Sequence, residues 1–271
     1  MTVAPIRLLG RVLAAVALIG ALALPTVARA DLASAWAAYQ RGDFATAREE
    51  WRALADLGSV EAAFNLGILY DQGKGVARDP ATAVDWWLMA AERGFAPAQH
   101  NLAKSYIAGD GVPRDYVAAI AWLRRAAAGG LARSEYTLGK MYANGLGVDT
   151  DPVAALAHYR AAADMGDVRA QYNLGKAYRD GRGADRDLAL AVAWFRRAAI
   201  SGYAKAQAAL GQRYARGEGV AADPVQALVW TLRAARQGLE RAVTAASALE
   251  ASMTEARIAE AERLAAAQPE P

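Results

Sequence analysis

Glycine stands at Gly94, Gly130, Gly166, Gly202 and Gly238, one every 36 residues without slippage. Leu66, Leu102, Leu138, Leu174 and Leu210 keep the same step, as do Tyr70, Tyr106, Tyr142, Tyr178 and Tyr214. Asp79, Asp115, Asp151, Asp187 and Asp223 keep it as well. A period of this length means that one supersecondary unit is written repeatedly and buries its apolar face against the next copy. The chain must therefore fold as an elongated stack rather than around one central core. The repeat occupies residues 59–238, in units 59–94, 95–130, 131–166, 167–202 and 203–238.

Each unit reads as two helices. Hydrophobic residues make up 55% of the chain, alanine dominates, and the β-branched runs expected of strands are missing. In the third unit a first helix is predicted from about Arg133 to Ala143, with Leu138, Gly139 and Tyr142 facing inward. Gly139, lacking a side chain, lets the partner helix come close; Gly67, Gly175 and Gly211 hold the same place, and Ala103 replaces them in the second unit. Gly145 and Gly147 then form a turn, the first in a left-handed C-terminal conformation. Asp151-Pro152 opens the second helix, the carboxylate capping free amides and the proline needing no hydrogen bond. That helix carries Ala155, Leu156, Tyr159, Ala162 and Ala163, and an alanine pair recurs at its end in every unit, permitting tight packing.

The flanks differ from the repeats. Arg7 and Arg11, the apolar run Val12–Leu24 and Ala28-Arg29-Ala30 compose a secretory signal over residues 1–30, with cleavage expected after Ala30. Thirteen apolar residues fall short of the roughly 20 that span a bilayer, so no stable membrane anchor is expected after cleavage. The protein is expected to be periplasmic or secreted. Residues 1–30 hold Arg7, Arg11 and Arg29 but no acid, so the net charge of +3 belongs to the signal and the remainder is neutral. That balance argues against nucleic-acid binding. Without cysteine an exported chain has no disulfide to rely on. Residues 31–58 read as a shorter capping hairpin, residues 239–267 as two C-terminal capping helices and 268–271 as a disordered tail. Ser252 with Glu255 offers a capping box for the last helix.

These residues carry a family resemblance. Ala170, Leu174, Gly175, Tyr178, Gly181, Gly183, Asp187, Ala191, Trp194, Ala198, Ala199 and Gly202 display the pattern of the Sel1-like repeat. Tyr39, Gly42, Asp43, Phe44 and Ala47 resemble a tetratricopeptide repeat. The resemblance implies an all-α, right-handed superhelix of five helical hairpins and, for most of the family, a scaffold or adaptor rather than an enzyme.

In tetratricopeptide-like hairpins the first helices line the concave surface. Counted outward from the buried Leu-Gly pairs, that surface should present Asn101 and Lys104, then Arg133, Tyr136 and Lys140, then Arg169, Tyr172, Asn173, Lys176 and Arg179. The set resembles the Asn/Lys/Arg clamps that hold acidic peptide ends, although Thr137, Ala209 and Gln212 depart from it. A protein or peptide partner, acidic or extended, is the expected ligand, with Tyr136 and Tyr172 as anchors. No cofactor or metal is expected: His100 and His158 are the only histidines and sit in different repeats. The Gly-x-Gly turns lack the strand and longer motif of a phosphate loop. Two other readings stay open at this point. Some cysteine-rich Sel1-like proteins have been linked to β-lactam binding, which would make this a cell-envelope hydrolase or β-lactam-binding protein, but the cysteine pairs are missing. An envelope or polysaccharide scaffold would need the Trp86, Trp122, Trp194 and Trp230 stripe exposed, whereas burial between units is the expectation for rings of that size.

Overall fold

A computed structural model describes residues 31–267. The signal expected over 1–30, its cleavage point and the tail over 268–271 lie outside the described residues. The described residues form fourteen helices and no strand. A first hairpin, α1 (Leu32–Gln40) and α2 (Phe44–Asp56), precedes the repeats. The repeats supply α3 (Val60–Gln72) with α4 (Pro80–Glu92), α5 (Ala96–Ala108) with α6 (Tyr116–Ala128), and α7 (Ala132–Asn144) with α8 (Pro152–Asp164). They continue with α9 (Val168–Asp180), α10 (Leu188–Ile200), α11 (Ala204–Arg216) and α12 (Pro224–Arg236), and the chain ends in α13 (Glu240–Glu250) and α14 (Glu255–Ala266). Consecutive helices pack on one another from α1 through α13, and α14 packs back on α12. The result is the all-α solenoid expected from the period.

Local chemistry explains the strict positions. The Asp79, Asp115, Asp151, Asp187 and Asp223 side chains each accept from amides in the first turn of the second helix. Their own N–H groups donate to the carbonyls of Tyr70, Tyr106, Tyr142, Tyr178 and Tyr214 at 2.9–3.0 Å, closing the loop in every unit. Gly145 ends α7 at φ 65°, in the left-handed region, as the turn reading requires. Gly175 matters for a different reason: a Cβ built there would stand 2.5 Å from Phe195 Cδ1 and Cε1.

The five repeat leucines are wholly buried, each contributing about 1.5–3 kcal/mol relative to exposure. Between units, Gln99, Gln171 and Gln207 donate from Nε2 to the carbonyls of Ala91, Ala163 and Ala199 at 3.0–3.4 Å. Arg124, Arg160 and Arg196 donate to the hydroxyls of Tyr142, Tyr178 and Tyr214 at 2.5–2.6 Å. Each helical hairpin is thus tied to the next by polar as well as apolar contacts.

At the C-terminus, α13 and α14 cover Leu228 and Val229 of α12 with Ala246, Ala261 and Ala265. Arg233 adds donations to the carbonyls of Leu264 and Ala267 at 2.8 and 2.9 Å. The capping box expected from Ser252 and Glu255 does not form. The N-cap of α14 is Thr254 without a side-chain cap bond, and the Ser252 hydroxyl donates back to the Leu249 carbonyl at 2.8 Å. Ser252 stands two residues before the capping position, too early to reach the first amides of that helix, and it closes the preceding turn instead.

Candidate binding groove

The first helices of neighbouring units flank shallow troughs floored by the second helix between them. The trough between α7 and α9, floored by α8, has a volume of about 570 Å³. Tyr136 and Lys140 enter it from α7, Asn173 and Lys176 from α9, and Leu156 and Tyr159 form its floor. The rings of Tyr136 and Tyr159 lie 5.9 Å apart. Burial raises the Tyr136 phenol above its usual pKa, against the opposing pull of Arg169 and a hydrogen bond with Asn173. A second trough of about 470 Å³, between α11 and α13, takes Tyr172 and Arg179 at its edge and is otherwise lined largely by alanines.

Four of the ten residues expected on this face therefore share one trough, and two more border the next. Asn101, Lys104, Arg133 and Arg169 line neither. The charges of Lys104, Arg133 and Arg169 nevertheless act on one group, His100. Its imidazole is buried and hydrogen-bonded through Nδ1 to Ser134 Oγ at 2.9 Å. Burial, then the charges of Arg133, Lys104 and Arg169 from three successive units, pull its pKa down to about 4. Phe64, Tyr136 and Tyr172 occupy the same repeat position as His100, so it is a packing residue of the inner layer.

The basic residues are not equally available. Arg169 pairs with Asp167 at 2.6 Å and lies over the Tyr136 ring at 4.5 Å. Arg179 pairs with Asp180 at 2.6 Å. Lys104, Arg133, Lys140 and Lys176 make no ion pair among the described residues, although Lys176 lies 5.9 Å from the Tyr172 centroid. Among the ten expected residues, the cations without an ion pair thus sit on α5, α7 and α9.

Sequence reasoning passed over Asn144, Asp180 and Arg182, which also line the first trough. Arg182 lies in the loop after α9, outside the helical count that located the others. The tryptophan stripe is covered rather than open. Trp194 and Trp230 are buried, Trp86 and Trp122 half-buried. Guanidinium groups lie over the rings, Arg125 at 4.6 Å from Trp122, Arg160 at 5.1 Å from Trp194 and Arg233 at 4.6 Å from Trp230. His158 fills the tryptophan slot of the third unit and meets Glu135 through Nδ1 at 2.7 Å. No group of three or more potential metal ligands occurs among the described residues.

Comparison with known proteins places this geometry. The Sel1 repeat model matches residues 60–95, 96–131, 132–167, 168–203 and 204–239. The crystal structure of a Sel1 repeat protein from Oxalobacter formigenes is 33% identical, with TM-score 0.72 over 76% of this chain and 85% of that one. A protective antigen present in uropathogenic Escherichia coli strains, which displays an SLR fold, is 32% identical with TM-score 0.75. That alignment covers 81% of this chain and 47% of the antigen, about half its length. No curated protein matches the chain.

Proposed function

The chain belongs to the Sel1 repeat family, and on that premise we propose that it is an exported, non-enzymatic scaffold whose concave groove holds a protein segment. The segment is extended and acidic. The observation that carries this reading is the gathering of unpaired Lys104, Arg133, Lys140 and Lys176 beside the half-buried Tyr136 and Tyr172 on one face of three successive units. Exposed ion pairs contribute about 0–1 kcal/mol each, so specificity comes from several of them acting with the tyrosine anchors. A neutral remainder after residue 30 further supports a local basic stripe as recognition rather than a general polyanion affinity.

The test is fluorescence anisotropy with a labelled extended peptide rich in Glu and Asp. The native chain is compared with the Lys104→Glu, Lys140→Glu, Lys176→Glu variant after circular dichroism shows both folded. Saturable binding weakened at least tenfold by charge reversal is expected; unchanged binding removes the groove from the reading. Export is tested by N-terminal sequencing of protein recovered from bacterial periplasm, with Asp31 expected first. Recovery only of chains retaining Met1 in the cytoplasm would overturn it.

A further inference from the structure

The last turns of α9 and α11 and the loops that follow them border an open polar cleft of about 540 Å³. Five arginines line it: Arg179, Arg182, Arg186, Arg213 and Arg216. Only two carboxylates, Asp180 and Glu218, face them there, leaving three positive charges uncompensated in one cleft. Basic side chains do favour helix C-termini, where the dipole is negative. Three residues, Arg179, Arg213 and Arg216, stand in such last turns; Arg182 and Arg186 belong to the loop, so the dipole does not account for them.

Arg213 is the unusual member. It is only 5% exposed, a rare state for an arginine unless it is fully paired. One terminal nitrogen meets Glu218 at 2.5 Å, the other donates to Gln212 Oε1 at 3.1 Å, and Nε is buried with no partner. Burial lowers its pKa, and Arg179 and Arg216 lower it further against the opposing Glu218. Arg179 is held by Asp180 through two bonds of 2.6 and 2.8 Å, and Arg186 Nε donates to the Arg179 carbonyl at 3.1 Å. Arg216 lies 3.9 Å from Glu218, and Arg182 has no ion pair among the described residues. The Arg179 and Arg213 guanidinium groups are therefore fixed by acids, while Arg182 and Arg216 stand exposed.

We propose that this cleft is an oxyanion subsite that takes the dianionic phosphoryl group of a phosphate monoester. A monocarboxylate brings one charge and two acceptor atoms, and two carboxylates already present leave the surplus standing. A phosphoryl group brings a charge of about −1.5 to −2 and three strong acceptor oxygens, which several guanidinium groups bind in parallel. The gathering of like charge around a buried arginine is the arrangement such a ligand relieves. The inference does not rest on the groove holding a polypeptide. The same chemistry is offered by a soluble phosphate ester or by a lipid phosphate head group.

Isothermal titration of the full chain with phenyl phosphate, against acetate and chloride at matched ionic strength, tests the subsite. Saturable binding of phenyl phosphate alone is expected, weakened at least tenfold in the Arg182→Gln, Arg216→Gln variant, whose exposed positions leave folding intact by circular dichroism. Equal responses to phenyl phosphate and acetate, or undiminished binding by the variant, overturn the proposal. Sedimentation with phosphatidylcholine vesicles containing phosphatidic acid separates the sources. Cosedimentation lost in the variant supports a lipid head group, and phenyl phosphate binding without cosedimentation supports a soluble ester.

Discussion

Replacing Gly175 by alanine sets two opposed effects against each other at one site. Glycine within a helix costs about 0.8–1 kcal/mol relative to alanine, so propensity alone favours the substitution. The new methyl, however, would stand 2.5 Å from two atoms of the Phe195 ring and 3.0 Å from a third. Phe195 is wholly buried, so the ring cannot swing into solvent. Overpacking of this kind costs about 1–3 kcal/mol, and with three ring atoms too close the upper part of that range applies. The net expectation is a loss of about 1–2 kcal/mol. The second unit shows what relieves it: Ala103 stands where the others have glycine, and the facing residue is Leu123 rather than an aromatic ring. In the Phe195→Leu background, Gly175→Ala should therefore be neutral or stabilising. Thermal and urea unfolding of the four members of this cycle reads the coupling; for a chain of this size each kcal/mol moves the midpoint by about 2–4 °C. A Gly175→Ala variant at least as stable as the native chain, or the same loss in both backgrounds, refutes the close-approach account of this glycine.

Three further outcomes are expected. His100 is held near pKa 4 when folded, below its ordinary 6.5, so the unfolded chain takes up its proton first. Stability present above about pH 6.5 is lost as pH falls toward 4, by about 3 kcal/mol at most; the His100→Phe, Ser134→Ala pair, which copies Phe64 and Ala98, should flatten urea midpoints across that window. Restoring the repeat pattern with Glu135→Gln and His158→Trp together should stabilise the chain by about 1 kcal/mol, because the amide can then donate to the Ala127 carbonyl as Gln99, Gln171 and Gln207 do to theirs; an unchanged urea midpoint removes that inter-unit bond from the account. Asp151→Ala, which removes acceptance from the Val153 and Ala154 amides, should cost about 1 kcal/mol in thermal unfolding.

The repeat framework was legible because its chemistry is local. Asp151-Pro152 starts a helix and Gly145 ends one wherever they fall, and the first helix expected from about Arg133 to Ala143 runs from Ala132 to Asn144. Ser252 misled for a related reason: a capping box depends on which residue turns first into the helix, and Thr254 does. The groove was legible only in part. Helical spacing placed Tyr136, Lys140, Asn173 and Lys176 beside one trough. It could not show that Asp167 would neutralise Arg169 or Asp180 Arg179, because those pairs depend on rotamers of neighbouring residues. The bond from His100 to Ser134 joins one unit to the next, and periodicity ranks such a pair no higher than any other.

Departures from the repeat sort by whether something nearby answers them. His100 is answered by Ser134, His158 by Glu135 and Ala103 by Leu123, so each keeps the packing of its unit. The positions expected on the concave face change with no such answer. One slot reads Ile68, Lys104, Lys140, Lys176 and Gln212 along the chain; another reads Glu61, Pro97, Arg133, Arg169 and Lys205. A stripe identical in every unit would let a bound segment slide by one unit at no cost. An extended chain rises about 3.3 Å per residue, so a partner lying along the face meets the units one after another. A stripe whose charge changes from unit to unit, Ile68 to Lys104 and Lys176 to Gln212 in one slot and Glu61 to Arg133 in the other, penalises a slip by a lost ion pair. On the proposed reading, the unevenness of the inner face is what sets the register of its partner, and the strict periodicity behind it is what keeps that face regular enough to be read.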